Sequence, residues 1–410
     1  MTVPSATRRK LFRILFVLTP AFAPNRGGVQ MSTHKMGEHF AHQGHRVGVF
    51  SFESEGHVEQ GFAELFPALD DGGVGSESNL RELRRVLGTF EPDVVINQMP
   101  YEHAIGQVCR DASPPLLLGC LRNTLFSVKN NLDAYGTRVL PKRVAPMFRN
   151  GLGRWLLLAK HRSRHRRDLE RILRTYDHFV MFGPPNLDEL RFFVPDFDTE
   201  KVRLIPNSVP RVLEAVPAKD KRILWLGRVS NEQKRADLIL PLWKRIHREL
   251  PDWHLDVVGD GPALATLRQA IDDEGIEGVT LHGRQKPDEY FLRASIFLMT
   301  SSFEGFPNTV VEAQSFGAIP VLFNTFPIAE WLVEDGVNGF LIRPFDLDAM
   351  ADRLVAIARS ETKSDWIVGA LENARRFEIG KVGQMWNTLF EGSLRSKESR
   401  LRVQHRTASA

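Results

Sequence analysis

Short apolar runs alternate with longer amphipathic stretches along the whole chain. In the first half these runs lie at residues 14–18, 47–52, 94–96, 115–120 and 179–181. In the second half they lie at residues 223–226, 255–258, 279–282, 296–300, 320–323 and 340–342. Because parallel strands and the helices that connect them produce this alternation, the pattern predicts an α/β protein.

A turn-rich segment separates the two sets of predicted strands. Residues 205–210 read Ile-Pro-Asn-Ser-Val-Pro, and a polar stretch follows as far as Lys221. A chain of 410 residues is long enough for two or three domains. The sequence therefore predicts a Rossmann-like N-terminal domain at 1–205 and a Rossmann-like C-terminal domain at 206–376. The polar and basic residues 395–410 are predicted to be disordered.

Composition narrows the class of protein. Apolar residues make up 42% of the chain and charged residues 25%, which excludes a disordered chain because there is enough apolar surface for a core. The two cysteines, Cys109 and Cys120, provide no disulfide framework and fit a reducing compartment. Arg13 interrupts the N-terminal apolar run, so we expect a buried strand there and not a signal peptide. No run approaches the ~18 apolar residues of a membrane span, and a cytoplasmic protein is expected.

Positive charge is concentrated in one segment. Residues 138–174 contain 12 Lys and Arg and two acids, a local net charge of +10, whereas the whole chain carries +4. Apolar residues recur there at helical spacing, beside a basic run from Lys160 to Arg167. One interpretation is a helical pair packed on its own domain with solvated cations outward. The other is an interfacial element on an anionic membrane, which would make the protein peripheral on the inner face of the cytoplasmic membrane. No nucleic-acid-binding motif accompanies the charge.

The segment 301–312 carries the most informative polar residues. It reads Ser-Ser-Phe-Glu-Gly-Phe-Pro-Asn-Thr-Val-Val-Glu, follows a predicted strand and opens a helix. Exposed amides at a helix start, together with the helix dipole, suit a diphosphate. Glu304 is placed to accept hydrogen bonds from sugar hydroxyls, and Glu312 to hold the vicinal hydroxyls of a ribose. The alternative is a loop and a surface helix with two solvated acids.

Other residues point to the same kind of ligand. Arg228 follows the predicted strand at 223–226 and Lys234 comes six residues later, so the two cations are placed to neutralise a diphosphate. Gly28 follows the first predicted strand, where a glycine lets the backbone approach a ligand closely. The turn at 258–262, Val-Gly-Asp-Gly-Pro, lacks the G-x-G-x-x-G spacing, so a nicotinamide cofactor is not expected.

In this order the motifs resemble those of the retaining glycosyltransferases of family 4, which have the GT-B fold. The series comprises the early Gly-Gly loop, Gly44-His45-Arg46-Val47, the Ile-Pro-Asn-Ser-Val hinge, Gly227-Arg228 with Lys234, Val-Gly-Asp-Gly-Pro, and two acids separated by seven residues. The resemblance covers nearly the whole chain. It implies two Rossmann-like domains facing each other across a cleft, with acceptor binding in the first and nucleotide-sugar binding in the second. It also implies that a helix at 377–394 returns to the N-terminal domain.

The resemblance gives roles to the candidate site residues by position. It places Arg228 and Lys234 on the diphosphate, Glu304 with the backbone from Phe306 to Asn308 on the sugar, the amides of Thr309 and Val310 on the phosphates, and Glu312 on the ribose. Gly28 would line the donor site from the first domain. Among these residues, Arg228, Lys234 and Glu304 are the candidates for a direct part in catalysis.

One position departs from the family pattern. Members commonly carry a histidine at the end of the strand where this sequence has Arg122, followed by Asn123. His103 lies downstream of the preceding strand and is a further candidate for the N-terminal side of the cleft, with a structural histidine as the alternative. In the retaining mechanism that this fold is thought to use, the leaving phosphate can itself accept the proton of the acceptor. A missing histidine therefore leaves the chemistry possible.

The resemblance implies a hexosyltransferase that moves a sugar from a UDP- or GDP-sugar to a hydroxyl of a glycan or lipid-linked acceptor. The anomeric configuration would be retained, and the pathway would be cell-envelope or surface polysaccharide synthesis. No metal or other cofactor is expected, because the D-x-D pairs at 196–198 and 346–348 lie near the hinge and at a predicted helix start, where Asp is a favoured cap. Two alternatives stay open: an epimerase of the same fold, and a catalytically silent partner protein that only binds nucleotide.

Overall fold

The structure is a computed structural model of the chain. It describes residues 10–24, 27–129, 132 and 151–408, with side chains as far as Ser399. The described residues form a seven-stranded and a six-stranded sheet, one in each half of the chain, and every strand pairing is parallel. The α/β fold with two Rossmann-like sheets that the sequence predicts is therefore confirmed.

The first sheet has the strand order β3-β2-β1-β4-β5-β6-β7. Its strands are β1 (Arg13–Leu18), β2 (Arg46–Ser51), β3 (Ala63–Pro67), β4 (Val94–Asn97), β5 (Leu116–Cys120), β6 (His178–Met181) and β7 (Val202–Leu204). The central strands β4 and β5 are buried along their whole length, as a parallel sheet covered on both faces requires. The strand order reverses between β1 and β4, so the loops after these strands open onto a crevice at the carboxyl edge.

Helices cover both faces of this sheet. They are α1 (Gly28–His42), α2 (Glu77–Phe90), α3 (His103–Asp111), α4 (Gly151–Thr175) and α5 (Pro185–Phe193). Ser76 caps α2 by accepting a hydrogen bond from the amide of Asn79, and a stripe of apolar residues in α2 faces the core. The helix α4 contains most of the basic segment, whereas residues 138–150 of that segment lie outside the described residues.

The second sheet has the strand order β10-β9-β8-β11-β12-β13. Its strands are β8 (Asp220–Leu226), β9 (His254–Val258), β10 (Val279–Gly283), β11 (Ala294–Met299), β12 (Ile319–Phe323) and β13 (Phe340–Ile342). The helices around it are α6 (Ile239–Glu249), α7 (Leu264–Glu274), α8 (Asp288–Arg293), α9 (Asn308–Ser315), α10 (Ala329–Leu332), α11 (Leu347–Arg359) and α12 (Lys363–Ala374). Trp225 and Trp243 are fully buried between sheet and helices and supply much of this core.

The last helix, α13 (Ile379–Ala408), packs on the first domain, as the resemblance implies. The ring of Phe390 lies 5.9 Å from that of Phe12 and 5.6 Å from that of Phe40. Val382 and Trp386 of the same helix are buried in the same apolar cluster. The chain thus crosses from the second domain back to the first before it ends.

The residues from 395 onwards, for which the sequence predicts disorder, continue α13 as far as Ala408, and residues 409–410 lie outside the described residues. Lys397 Nζ donates a hydrogen bond to the Pro115 carbonyl at 2.8 Å and lies 2.7 Å from the Asp177 carboxylate. One turn earlier, Ser393 Oγ lies 2.9 Å from His178 Nε2. The polar composition of this segment suggests disorder when it is considered alone, but its partners lie on the surface of the first domain.

Candidate active site

The segment between β11 and α9 lies against the loop that follows β8. The Ser302 amide donates to the Gln233 carbonyl at 2.7 Å, and Thr300 Oγ1 donates to the Lys234 carbonyl at 2.7 Å. Both segments leave the carboxyl edge of the second sheet, where ligands of parallel sheets bind. The two groups of residues that the sequence singles out in this domain therefore share one surface.

Glu304 and Lys234 form a nearly buried ion pair on this surface. Lys234 Nζ lies 2.6 Å from Glu304 Oε1, and the two side chains are 16% and 8% exposed, respectively. Gln233 Nε2 donates to Glu304 Oε2 at 3.2 Å. Both carboxylate oxygens are thus engaged, and each retains a lone pair that can accept a further hydrogen bond. Gln233 is a residue that the sequence analysis missed, although it directly precedes Lys234.

Arg228 is exposed at the start of the same loop. The Gly227 amide donates to the Val258 carbonyl at 3.1 Å, so the loop packs directly on the turn at 258–262. Gly259 has a φ of 142°, and a Cβ built there would lie 1.8 Å from the Gly227 carbonyl oxygen. Only glycine allows this approach. The turn therefore fixes the backbone that carries Arg228.

Glu312 faces the first domain. Its Oε1 lies 2.7 Å from Lys35 Nζ, and the two side chains are 17% and 15% exposed, respectively. Because Glu312 belongs to α9 and Lys35 to α1, the pair bridges the two domains. Lys35 was also missed by the sequence analysis. It lies seven positions after Gly28, two helical turns along the same face, and this spacing is the signal that could have found it.

Asn308 is the meeting point of three segments of the chain. Asn207 Nδ2 donates to Asn308 Oδ1 at 2.9 Å. A Cβ built on Gly28 would lie 3.6 Å from Asn308 Nδ2, an ordinary contact distance. Gly28, the hinge and the segment before α9 therefore lie together in the cleft. Asn207, which the sequence assigns only to the domain boundary, thus also lies beside Asn308 in the cleft.

Phe306 and Val310 of the predicted site are buried, and Thr309 at the start of α9 is half-buried. The ring of Phe306 is 8% exposed and lies 5.5 Å from the ring of Phe182. The Val310 amide donates to the Pro307 carbonyl at 2.9 Å, so this bond would have to open for the amide to meet a phosphate. Thr309 Oγ1 is buried and has no hydrogen-bond partner among the described residues.

Arg122 and Asn123 follow β5 and lie against the segment that carries Glu304. A Cβ built on Gly305 would lie 2.7 Å from the Cα of Asn123 and 2.9 Å from the Arg122 carbonyl oxygen, so the two backbones are in close contact. Arg122 Nη1 lies 3.5 Å from Asn207 Oδ1. Both residues therefore lie on the N-terminal wall of the cleft.

His103 lies in a different place. It is the first residue of α3, and its Nε2 lies 3.2 Å from Asp168 Oδ1 on α4. The side chains are 29% and 33% exposed, respectively. The described contacts of His103 join two helices of the first domain, and they do not bring it to Glu304.

The two D-x-D pairs take part in caps and ion pairs. Asp198 caps a short helical turn, and Asp346 Oδ1 accepts a hydrogen bond from the Ala349 amide at the start of α11 at 3.0 Å. Asp348 contacts Arg245. Within the part of the chain that the structure describes, no group of three or more His, Cys, Asp and Glu side chains is arranged to hold a metal ion.

Two Rossmann-like domains whose loops meet across a cleft define a protein of the GT-B fold. The family model for Glycosyltransferase Family 4 matches residues 26–211, and the model for group 1 glycosyl transferases matches residues 220–360. The second match contains Arg228, Lys234, Glu304 and Glu312. The chain belongs to the group 1 glycosyltransferases.

Individual relatives match parts of the chain. The lipopolysaccharide 1,6-galactosyltransferase of Salmonella typhimurium is 30% identical over 178 residues, which cover 41% of this chain and 49% of that protein. The poly(glycerol-phosphate) alpha-glucosyltransferase of Bacillus subtilis is 25% identical over 193 residues, 43% of this chain and 28% of that protein. These matches span less than half of the relatives' own length. The structure of Anabaena HepE in complex with UDP and glucose is 17% identical, with a TM-score of 0.68, and the likeness covers 93% of this chain and all of that one.

Proposed function

We propose that this protein is a retaining glycosyltransferase that uses a UDP- or GDP-sugar and adds the sugar to a hydroxyl of a glycan or lipid-linked acceptor. The proposal rests above all on the nearly buried Lys234–Glu304 pair, which places a cation and a hydrogen-bond acceptor side by side at the carboxyl edge of the second sheet. A nucleotide-sugar needs both, the cation for its diphosphate and the acceptor for its sugar hydroxyls. The relatives named above support a role in cell-envelope or polysaccharide synthesis.

The residues around the pair complete the donor site. Arg228, exposed on the same loop, would contact the diphosphate together with Lys234. The start of α9 would face the phosphates with its amides and dipole. Glu312 would accept hydrogen bonds from the ribose hydroxyls in place of its present partner, Lys35. Gly28 leaves room for the ligand on the opposite wall.

The proposed transfer step retains the configuration of the anomeric carbon. The bond between the anomeric carbon and the diphosphate oxygen breaks, and the nucleoside diphosphate leaves with the bonding electron pair. The acceptor oxygen bonds to the same face of the sugar and its proton passes to the leaving phosphate, so atoms and charge balance. Arg228 and Lys234 stabilise the charge that develops on the phosphate, which is where electrostatic catalysis acts. In the proposal no metal takes part, since the two cations supply the positive charge.

The experiment that tests the proposed function combines binding with turnover. Thermal-shift titration of the full chain against UDP-, GDP- and ADP-sugars should identify one stabilising donor. Release of nucleoside diphosphate from that donor is then followed in EDTA, with and without a glycan or lipid-linked acceptor. We expect release that requires the acceptor and persists in EDTA. Epimerisation of the donor without release of nucleotide would indicate an epimerase. Binding of the donor without turnover would indicate a catalytically silent partner protein. Loss of activity in EDTA would indicate a metal-dependent enzyme.

We further propose that α4 contacts an anionic membrane surface. Leu152, Trp155 and Leu156 are 69%, 63% and 45% exposed on the first turns of this helix, whereas Leu169 and Ile172 near its end are buried in the domain. The apolar residues at the start of α4 therefore face outward. Exposed basic residues follow them along the helix, and a basic helix with exposed Trp and Leu is typical of an interfacial element. No helix among the described residues has the length and apolar character of a membrane span.

Changing Arg162, Arg164, Arg166 and Arg167 to Glu is expected to abolish binding to anionic liposomes. Each basic residue near such a surface contributes about 1 kcal/mol, so the loss of four should outweigh the apolar contacts. Co-sedimentation with liposomes of increasing anionic lipid content, at low and high salt, measures the effect. Binding by the wild type should rise with anionic content and fall with salt.

The matched control carries the same change of charge on the second domain. Four exposed basic residues there can be changed to Glu: Lys221, Arg245, Arg268 and Arg359. This variant should bind liposomes as the wild type does. Equal binding by both quadruple variants, or negligible binding by the wild type, would contradict a membrane contact through α4.

A further inference from the structure

Arg122 is a cation in the cleft without an acidic partner among the described residues. Its Nε is buried and makes no hydrogen bond to any of them. The contact of its Nη1 with Asn207 Oδ1 is long, at 3.5 Å. Burial lowers the pKa of the guanidinium from its ordinary value, and the neighbouring Cys120 thiol offsets only part of this. The charge of Arg122 is therefore poorly compensated by the protein itself.

Other cations that lie largely out of solvent have compensating partners. Lys35 and Lys234 each pair with a carboxylate, at 2.7 and 2.6 Å. Lys219 Nζ donates to three main-chain carbonyls at 2.8–2.9 Å. Removing a cation from solvent without such a partner costs free energy. This cost would be offset if a substrate with an anionic group binds next to Arg122.

A second polar atom beside Arg122 also has no partner in the part of the chain that the structure describes. The cavity next to the guanidinium is lined in part by Gln98 and Asn207. Gln98 Oε1 is buried and accepts no hydrogen bond from a described residue, whereas its Nε2 donates to Thr33 Oγ1 at 3.2 Å. A hydroxyl group, which can both accept a hydrogen bond from Arg122 Nε and donate one to Gln98 Oε1, would satisfy the two atoms together.

The position of Arg122 assigns this ligand group to the sugar part of the donor. Its backbone packs on Gly305, the residue after Glu304, which is proposed to accept from the sugar hydroxyls. The cations proposed for the diphosphate, Arg228 and Lys234, belong to the loop after β8 in the other domain. An anion next to Arg122 is therefore assigned to the sugar, and the variants described below distinguish it from an anion of the diphosphate.

We propose that Arg122 binds the carboxylate of an acidic sugar, so that the donor is a nucleotide-linked uronic acid. This inference rests on the proposed transferase function. A guanidinium presents parallel N–H donors that fit the two oxygens of a carboxylate, and the pair of opposite charges compensates both groups. A neutral sugar would leave the Arg122 charge uncompensated in the loaded enzyme.

The test compares donors that differ only at carbon 6. Affinities of the full chain are measured by calorimetry for UDP-glucose against UDP-glucuronate and for GDP-mannose against GDP-mannuronate. Each affinity is expressed relative to that of bare UDP or GDP for the same protein. With the nucleotide that binds, we expect the uronate to bind about tenfold more tightly or better than the neutral sugar, the range of a charge-assisted contact.

Variants distinguish a specific effect of Arg122 on uronate binding from a general effect of positive charge in the cleft. Arg122→Gln should lose the preference for the uronate, and Arg122→Lys, which keeps the charge but not the planar fork, should retain part of it. Arg211→Gln is the matched control, since Arg211 is an exposed arginine near the hinge, and it should keep the full preference.

Other results of these binding experiments would contradict the proposal. Equal affinity of the wild type for both sugars of a pair, or an unchanged preference in Arg122→Gln, would overturn it, and the wild-type comparison holds even if that variant does not fold. If Arg122→Gln loses affinity for the bare nucleotide as much as for the uronate, Arg122 holds the diphosphate and the proposal is wrong. Failure of every nucleotide and nucleotide-sugar to bind the wild type would instead remove the transferase function, and this inference with it.

Discussion

Changing Arg228 to Ala is expected to lower kcat/KM for sugar transfer by about 100-fold, and changing Lys234 to Ala by at least as much. Negative charge builds up on the diphosphate as its bond to the sugar breaks, so a cation there stabilises the transition state more than the bound substrate. A loss of 100-fold corresponds to about 2.7 kcal/mol of activation free energy. Steady-state kinetics with the donor identified by thermal shift measure the effect.

The two variants should differ in stability, which separates catalysis from folding. Arg228 is exposed, and no ion pair joins it to another described residue, so its replacement should leave the melting temperature unchanged. Lys234→Ala leaves the Glu304 carboxylate nearly buried without its ammonium partner, which we expect to cost about 2–4 kcal/mol of unfolding free energy after allowance for partial exposure. The double variant Lys234→Ala/Glu304→Gln removes both charges and should recover stability without recovering activity.

Lys221 supplies the control for a nonspecific effect of charge. It lies at the beginning of β8, at the end opposite to Arg228, and its contact with Asp252 is exposed. Lys221→Ala should have the kinetics of the wild type. If Arg228→Ala has the kcat/KM of the wild type, Arg228 does not contact the diphosphate. If Lys234→Ala regains the activity of the wild type when it is assayed well below its melting temperature, the role of Lys234 is structural.

The two strands that the sequence analysis missed are the edge strands of the first sheet. β3 has a mixed pattern of partly buried and exposed residues, and β7 has only three residues. Neither presents the continuous apolar run by which the buried strands were predicted, because an edge strand is covered less completely than a central one. All six strands of the second sheet contain such runs, and the sequence predicts each of them.

The site could be predicted within each element but not between elements. The spacing of residues along the chain predicts that Glu304 and Glu312 flank a helix start, since both belong to one strand–loop–helix unit. The partner of Glu312 is Lys35, 277 residues away, and Asn207 reaches Asn308 from the hinge. These contacts depend on how the two domains face each other, and no local pattern contains that information.

Removing the Glu312 carboxylate is expected to weaken binding of the nucleoside diphosphate. Glu312→Ala should cost about 1.5–3 kcal/mol, because charge-assisted hydrogen bonds to the ribose hydroxyls are lost. This is about a 10- to 150-fold rise in Kd. Calorimetric titration of UDP or GDP into the wild type and the variant measures it. Unchanged affinity would remove Glu312 from the nucleotide site.

Because Glu312 is paired with Lys35 of the other domain, a second variant is needed to interpret the loss of nucleotide affinity in Glu312→Ala. Lys35 Nζ occupies Glu312 Oε1 at 2.7 Å, so the ribose must share or replace this contact when the nucleotide binds. If Glu312 acts by holding ribose, Lys35→Ala frees its carboxylate, and the affinity for the nucleoside diphosphate should stay the same or increase. If the pair acts by holding the two domains in register, both variants should lose affinity equally, since either substitution breaks the same contact. Equal losses would therefore contradict a ribose-binding role for Glu312.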